Sequence, residues 1–374
     1  MSITKTRRRI LIVGGLAAGP SAAAKAVRTN PNAEVVMFEA TETVSYGICE
    51  APYAIAGVID DENKLVIYTP ERLRDEKGIE VKILHQVEKI LSTKHKIIVR
   101  DLKRGELAEY GYDKLILATG AKPRKLQLDG ERGRNVFHLS SREDIQNILN
   151  YLKTESPNQA VIIGGGYIGM EMCEALRTRG LEVTLLHRRS LPMAGLEQGT
   201  RERIVEELLK NGVYFITNVR VEGLHQGKDD RVEHVITNRG TFDSDIVILS
   251  LGVEPSVSVA RSARIRIGPT GAIATDEKQQ TSIDDIYAAG DCCEVKNVVN
   301  GKPMYLPLAT VASRAAWVAG ENAAGGRATF KGVIRAIAVK VFGIEVAQVG
   351  LSSEEAKDAR FQVVTETISA YGKV

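Results

Sequence analysis

Cysteine is scarce in this chain, with four among 374 residues, at positions 49, 173, 292 and 293. No two of them form a C-x-x-C pair or stand at metal-ligand spacing, so a secreted disulfide scaffold is excluded and no metal site is expected. The adjacent Cys292 and Cys293 read as two packed thiols after a strand, with a strained vicinal disulfide as the alternative. Long apolar runs are also missing. Stretches such as Val161 to Ile163 and Asp245 to Leu251 are strand-length, against the ~20 residues of a membrane span, so no transmembrane segment is expected. A basic start, Met1 to Arg9, runs through four apolar residues straight into glycine with no cleavage pattern, which reads as mature sequence in the cytoplasm. Charge of one sign is lacking too. The net charge is only +3 and the basic residues are dispersed, so nucleic-acid binding has no footprint. With 44% hydrophobic and 26% charged residues, the chain is ordinary globular material of two or three domains.

What is present is an internal repeat, in which a short β-branched run leads to glycines and then to an alanine-rich helical stretch. The first copy is Ile10-Leu11-Ile12-Val13-Gly14-Gly15-Leu16-Ala17-Ala18-Gly19, with a helix to about Arg28 and a strand from Glu34 to Phe38 that ends at Glu39. The second is Ala160-Val161-Ile162-Ile163-Gly164-Gly165-Gly166-Tyr167-Ile168-Gly169, with a helix to about Arg179 and a strand from Glu182 to Leu186. Glycines here let the backbone turn tightly and approach a pyrophosphate, whose charge rests against free N–H groups at a helix N-terminus. The first copy departs from the usual fingerprint, because Leu16 takes the middle glycine's place. Glu39 is spaced to accept from an adenosine ribose hydroxyl. The second copy ends in His187-Arg188-Arg189, with no carboxylate and two guanidinium groups for a 2′-phosphate, so NADPH rather than NADH is the expected ligand.

Further segments fit the same scheme. Tyr112 to Ala121, with Ala118-Thr119-Gly120 at its end, reads as a buried strand closing on a small-residue turn, and Ile246 to Pro255, with Gly252, reads alike. Each closes one nucleotide module. Ile283 to Asp291 places a carboxylate directly after Gly290, where it can hold a sugar-alcohol hydroxyl.

Together the two glycine motifs, Ala118-Thr119-Gly120 and Ala289-Gly290-Asp291 resemble the pyridine nucleotide-disulfide oxidoreductases over almost the whole chain. The resemblance implies an α/β fold of two Rossmann-like domains, the NAD(P)H domain inserted in the FAD domain, and a homodimer made by a C-terminal domain. The boundaries expected are 1–125 and 253–327 for the FAD domain, 126–252 for the NAD(P)H domain, and 328–374 for a partial dimerisation domain. It also implies that Asp291 holds the FAD ribitol, that Tyr167 lies near the flavin where the nicotinamide enters, and that Glu171 stands among the cofactor-binding residues.

The redox centre separates the branches of that family. Cys49 is followed five residues on by Ala54, so the paired-cysteine motif of the glutathione-reductase-like branch is absent. Ser45-Tyr46-Gly47-Ile48-Cys49-Glu50-Ala51-Pro52-Tyr53 instead resembles the single-cysteine motif of CoA-disulfide reductases, NADH oxidases and CoA-persulfide reductases. One cysteine beside a flavin accepts electrons only through a mixed disulfide, a persulfide or a sulfenic acid. Its thiolate is the reactive form, and a position at a helix start is expected to favour it, with Glu50 opposing. By resemblance Ser21, Lys25, Arg28, Ser45 and Lys77 face a CoA substrate, while Ile48 replaces the usual Asn before the cysteine. The expected activity is NAD(P)H-dependent reduction of a CoA disulfide or related sulfur substrate. The alternatives are an oxidase reducing O₂, and an electron-transfer or redox-sensing flavoprotein with a protein partner.

Overall fold

The computed structural model describes residues 7–370. Strand β1 (Arg9–Val13) is apolar and buried beyond Arg9, and the chain turns at Gly14 into helix α1 (Ala18–Thr29) and returns as β2 (Glu34–Phe38). A 3-10 turn, Ile48–Glu50, then leads into the short helix α2 (Ala51–Ala56). Helix α3 (Pro70–Lys77) starts on a Thr69 cap with Pro at its first position, the placement in which a missing N–H costs nothing. It is followed by β3 (Ile79–Lys82). An antiparallel meander of β4 (His85–Leu91), β5 (Lys96–Asp101) and β6 (Leu107–Gly111) precedes β7 (Lys114–Leu117).

A short strand β8 (Ala121–Pro123) leads to the second module, which holds β9 (Val136–Phe137), α4 (Arg142–Glu155), β10 (Gln159–Ile163), α5 (Tyr167–Thr178) and β11 (Glu182–Leu186). It continues with α6 (Gln198–Lys210), β12 (Val213–Ile216), the meander β13 (Val221–Gln226), β14 (Val232–Thr237) and β15 (Gly240–Asp243), and then β16 (Ile246–Leu249). Strand β17 (Val253–Pro255) pairs antiparallel with β8, so one two-stranded ribbon carries the chain out of the first module and back. After α7 (Ser258–Ser262) come β18 (Ile286–Ala288), the hairpin β19 (Val295–Lys296) and β20 (Pro303–Met304), and α8 (Ala309–Ala323). The hairpin β21 (Ala336–Val341) and β22 (Ile344–Val349) and helix α9 (Ser353–Asp358) follow.

Two five-stranded sheets organise the molecule, in the orders β18-β7-β1-β2-β3 and β12-β11-β10-β16-β9. All pairs within both are parallel, and the central strands are nearly continuous apolar runs, as sheets covered on both faces require. The repeat seen in the sequence is therefore a structural repeat. Strand β18, from beyond the inserted module, completes the first sheet beside β7. Alanines 22, 23 and 26 of α1 pack against alanines 312, 315, 316 and 319 of α8. The helices approach so closely that a side chain at Gly320 would strike the Ala22 carbonyl.

One packing relation crosses the modules. Ala51, Ala54 and Ile55 of α2 are buried in the same apolar cluster as Met170, Met172 and Cys173 of α5 and Val339, Val341 and Val346 of the C-terminal hairpin. The segment carrying Cys49 is thus seated on the second module although it belongs in sequence to the first. Among the described residues no helix is long and apolar enough to cross a membrane.

Candidate active site

The two glycine turns are built on the same backbone contacts. Gly14 and Gly164 both have φ above +100°, where an L side chain is strained, and the N–H of each donates to the end of the neighbouring strand, at Phe38 O and Leu186 O. A side chain at Gly14 would strike the Ala118 carbonyl, and one at Gly164 the Ser250 carbonyl. At Gly19 and Gly169, a Cβ would collide with the carbonyls of Gly14 and Gly164. These glycines allow turn, helix and strand to touch. Gly166 differs, because nothing lies within 4 Å of where its Cβ would stand, so it faces open space at the start of α5.

The residue after β2 and the residue after β11 occupy matching places. Gly15 N–H donates to Glu39 Oε2 at 2.7 Å, and Glu39 Oε1 accepts from Thr41 N and Oγ1 at 2.8 and 2.9 Å. In the second module Gly165 N–H donates to His187 Nδ1 at 3.0 Å, while Nε2 lies 3.1 Å from Leu191 O. Nδ1 must then be the acceptor and Nε2 carry the proton, which fixes a neutral tautomer. Burial, helped by Arg189, Arg188 and Arg201, holds His187 below the ordinary histidine pKa. Arg188 and Arg189 are exposed beside it. A carboxylate in one cradle and a neutral imidazole beside two guanidinium groups in the other is the charge difference expected for a free ribose against a phosphorylated one.

Ala118, Thr119 and Gly120 leave β7 toward the ribbon, where Thr119 Oγ1 donates to Ser256 O at 2.7 Å and Ser256 N–H to Gly120 O at 2.9 Å. Gly252 closes the second module in the same manner, with φ of +85° and its carbonyl accepting from Arg124 N–H. Gly290 has φ of +88° and sits against Ala18 at the start of α1, which brings Asp291 to the mouth of the first cradle. Burial alone raises the Asp291 carboxyl to about 6. Tyr305, on the segment between β20 and α8, has a buried hydroxyl with no partner among the described residues. An acceptor-rich Glu39, a glycine cradle, a buried carboxylate and an unpartnered hydroxyl form a donor and acceptor set that fits a flavin dinucleotide.

Cys49 lies between the modules and alone of the four cysteines is exposed. Its thiol stands above the ordinary value because of burial of part of its surface and the charges of Glu50, Glu171 and Asp291. The sequence expectation of a thiolate favoured by a helix start is corrected here. The thiol sits in the 3-10 turn ahead of α2, where its own burial and the negative charges of Glu50, Glu171 and Asp291, from three segments, oppose ionisation. The Glu50 side chain folds back over Gly47. Glu171, one turn beyond Tyr167 on α5, has its carboxyl pushed up to about 7 by burial and by Glu174. Tyr167 opens α5 with 40% of its surface exposed.

The residues expected to face CoA are dispersed in role. Ser21 Oγ donates to Ala17 O at 2.8 Å, Lys25 is paired with Glu321 at 2.8 Å, and Ser45 is buried with its backbone tied to Gly15 and Ile67. Arg28 is exposed, and Lys77 is exposed over the Tyr68 ring. Tyr46, whose hydroxyl accepts from Arg142 N–H at 3.2 Å, ties the cysteine loop to the start of α4, a role the motif did not signal. Cys292 and Cys293 are free, buried thiols with sulfurs 3.6 Å apart. Among the described residues no group of three metal-ligating side chains converges.

The family model described as pyridine nucleotide-disulphide oxidoreductase matches residues 8–316. The chain belongs to this family. It is 36% identical to an NAD(P)H sulfur oxidoreductase (CoA-dependent) of Pyrococcus abyssi, over 99% of this chain and 81% of that protein. An NADH oxidase of Methanocaldococcus jannaschii is 33% identical, over 95% of this chain and 79% of its own. The crystal structure of reduced Bacillus anthracis CoADR-RHD superposes with a TM-score of 0.91 at 33% identity and covers 95% of this chain, which spans 64% of that one. The doubly nucleotide-binding α/β fold and the oxidoreductase class expected from the sequence stand with these findings, as does the use of FAD and NAD(P)H.

Proposed function

We propose that this protein is an FAD-dependent NAD(P)H oxidoreductase that reduces the sulfur–sulfur bond of a CoA disulfide, or of a related CoA persulfide or polysulfide, at Cys49. The observation that carries this reading is the placement of the one exposed thiol directly ahead of α2, a helix of the first module that packs against α5 of the second. The sulfur-reducing, CoA-dependent activity named for the Pyrococcus relative supports it.

The first cradle, with Gly14, Gly15, Ala18, Gly19, Glu39, Ala118, Thr119, Gly120, Gly290 and Asp291, would hold FAD. The second, with Gly164, Gly166, Gly169, His187, Arg188, Arg189 and Gly252, would hold NADPH in preference to NADH, and Tyr167 would guard the nicotinamide's approach. When bound, the flavin supplies the electron pair that the nicotinamide delivers as hydride. The Cys49 thiolate attacks one sulfur of the substrate, the second sulfur leaves as a thiol on taking a proton, and a mixed disulfide remains on Cys49. Two electrons and a proton then free the second thiol and restore the thiolate. Glu171, raised to about 7 by burial and by Glu174 and acting electrostatically on Cys49, would exchange the proton a departing sulfur takes. Arg28 and Lys77 are the exposed cations that would meet CoA phosphates, with Ser21, Lys25 and Ser45 shaping that face. A homodimer in the cytoplasm completes the proposal, and the four free cysteines suit a reducing compartment.

A second reading, reduction of O₂ with Cys49 passing through sulfenic acid, is favoured by the exposure of the thiol and by the NADH oxidase among the relatives. NADPH oxidation measured anaerobically with CoA disulfide and CoA polysulfide, and separately with O₂, for wild type and Cys49→Ser, separates the two. Turnover on a sulfur acceptor that Cys49→Ser abolishes supports the proposal. Full turnover by the variant refutes it.

A further inference from the structure

Two polar groups near the mouth of the first cradle have no hydrogen-bond partner among the described residues. The Tyr305 hydroxyl is buried without a partner. The Asp291 carboxyl is raised by burial alone, with no hydrogen bond or charge among the described residues to offset it. Their proximity is built into the backbone. The β19–β20 hairpin pairs Val295 with Met304, so Tyr305, one step further, returns beside Glu294 and the turn that follows Asp291. Asp291, Cys292 and Cys293 all act electrostatically on its phenol. Tyr305 and Asp291 make no bond to each other, although one is a donor and the other an acceptor.

A buried hydroxyl left unpaired costs free energy, and native structures rarely keep one without a ligand or water to satisfy it. The two groups call for a ligand that presents a donor to the carboxylate and an acceptor to the phenol. A chain of vicinal hydroxyls does this, since each is both. We infer that Tyr305 is a positioning residue for FAD, its hydroxyl donating to the polyol or adjoining polar edge of the flavin while Asp291 accepts from a neighbouring hydroxyl. This rests on the proposal that the first cradle holds FAD. Burial, with the nearby Asp291 and the two thiols, keeps the phenol protonated, so it remains a donor across the working pH range.

Tyr112 provides an internal comparison. Its hydroxyl is also buried without a partner, but it precedes β7, at the opposite end of that strand from Ala118 and the cradle. Tyr305→Phe and Tyr112→Phe each remove one orphan hydroxyl and keep the ring, so both are expected to fold at least as well as wild type. The test follows FAD release from the purified holoprotein on dilution, by the rise of free-flavin fluorescence, together with the visible spectrum of the bound flavin and thermal melting of the flavin-free fraction. Tyr305→Phe is expected to weaken FAD retention by roughly 3- to 10-fold, the worth of one hydrogen bond, and to alter the flavin band while leaving apoprotein melting unchanged or raised. Tyr112→Phe is expected to leave retention and spectrum as in wild type. A purely structural role for Tyr305 would instead lower melting and retention together. Equal retention and an unchanged spectrum in Tyr305→Phe would overturn the inference while the FAD reading stands, whereas wild-type protein that neither carries nor takes up FAD would overturn both.

Discussion

At the scale of single residues, the site is unusual for the charge around its thiol. A reactive cysteine is commonly set among cations, which favour the thiolate, yet Cys49 is raised above the ordinary thiol value by burial and by the negative charges of Glu50, Glu171 and Asp291. Removing the sequence neighbour's charge, in Glu50→Gln, is expected to lower that value and to speed iodoacetamide alkylation of Cys49 at neutral pH by roughly 2- to 5-fold. An unchanged alkylation profile would show that Glu50 has no hold on the thiol. Glu171 gives a second test, with a definite sign. Its carboxyl titrates at about 7 in the folded chain against an ordinary 4.5. The folded state therefore binds the proton more tightly, and the stability present below the ordinary value is lost as pH rises through about 7. For the cofactor-free protein, Glu171→Gln is expected to flatten the fall in stability between about pH 5 and 8, by up to ~3 kcal/mol, in denaturant titrations across that range. The motif around Cys49 was legible in the sequence. Its acidic setting was not, because Glu171 and Asp291 come from segments more than a hundred residues away.

At the scale of elements, the glycines of the second turn divide into two kinds that the sequence does not distinguish. Gly169 sits against the Gly164 carbonyl, whereas Gly166 faces open space. Gly169→Ala is expected to destabilise the module by several kcal/mol, seen as a large drop in melting temperature. Gly166→Ala is expected to leave melting almost unchanged and to weaken NADPH binding in a fluorescence titration, since the added methyl occupies the space a pyrophosphate would use. Reversal of that pattern would mean that Gly166 has no part in the nucleotide site. Strands Glu34–Phe38 and Glu182–Leu186 were readable to the residue, because each is a short apolar run that follows a strand, a glycine turn and an alanine-containing helix in the same order. The two meanders were not read. Their strands are half exposed and mix charged with apolar residues, as in His85–Leu91 and Val221–Gln226, so neither alternation nor a continuous run stands out. Tyr305 carried no signal at all, because its partner is not a residue of the chain.

At the scale of the whole molecule, the segment carrying Cys49 is held by the module it does not belong to in sequence. Besides the shared apolar cluster, Arg179 at the end of α5 donates from Nε to Ile55 O at 2.7 Å. The C-terminal hairpin is tied to that same helix, through Lys340 to Glu174 at 2.5 Å and Phe342 N–H to Glu174 at 2.7 Å. Arg179→Ala is expected to cost about 1 kcal/mol of stability and to lower turnover with the sulfur acceptor without loss of flavin, because α2 is then less firmly seated. Loss of flavin instead would place its effect in the first cradle. This seating follows from tertiary packing, so two correctly read nucleotide modules could not have revealed it. The central claim is that Cys49 carries the substrate's sulfur, and the most direct measurement is peptide mass spectrometry of the protein incubated anaerobically with CoA disulfide and no NAD(P)H. A CoA adduct on the Cys49 peptide, reversed by NADPH and absent from Cys49→Ser, is the result predicted. Retention of a free Cys49 thiol, or an adduct confined to another cysteine, would contradict it.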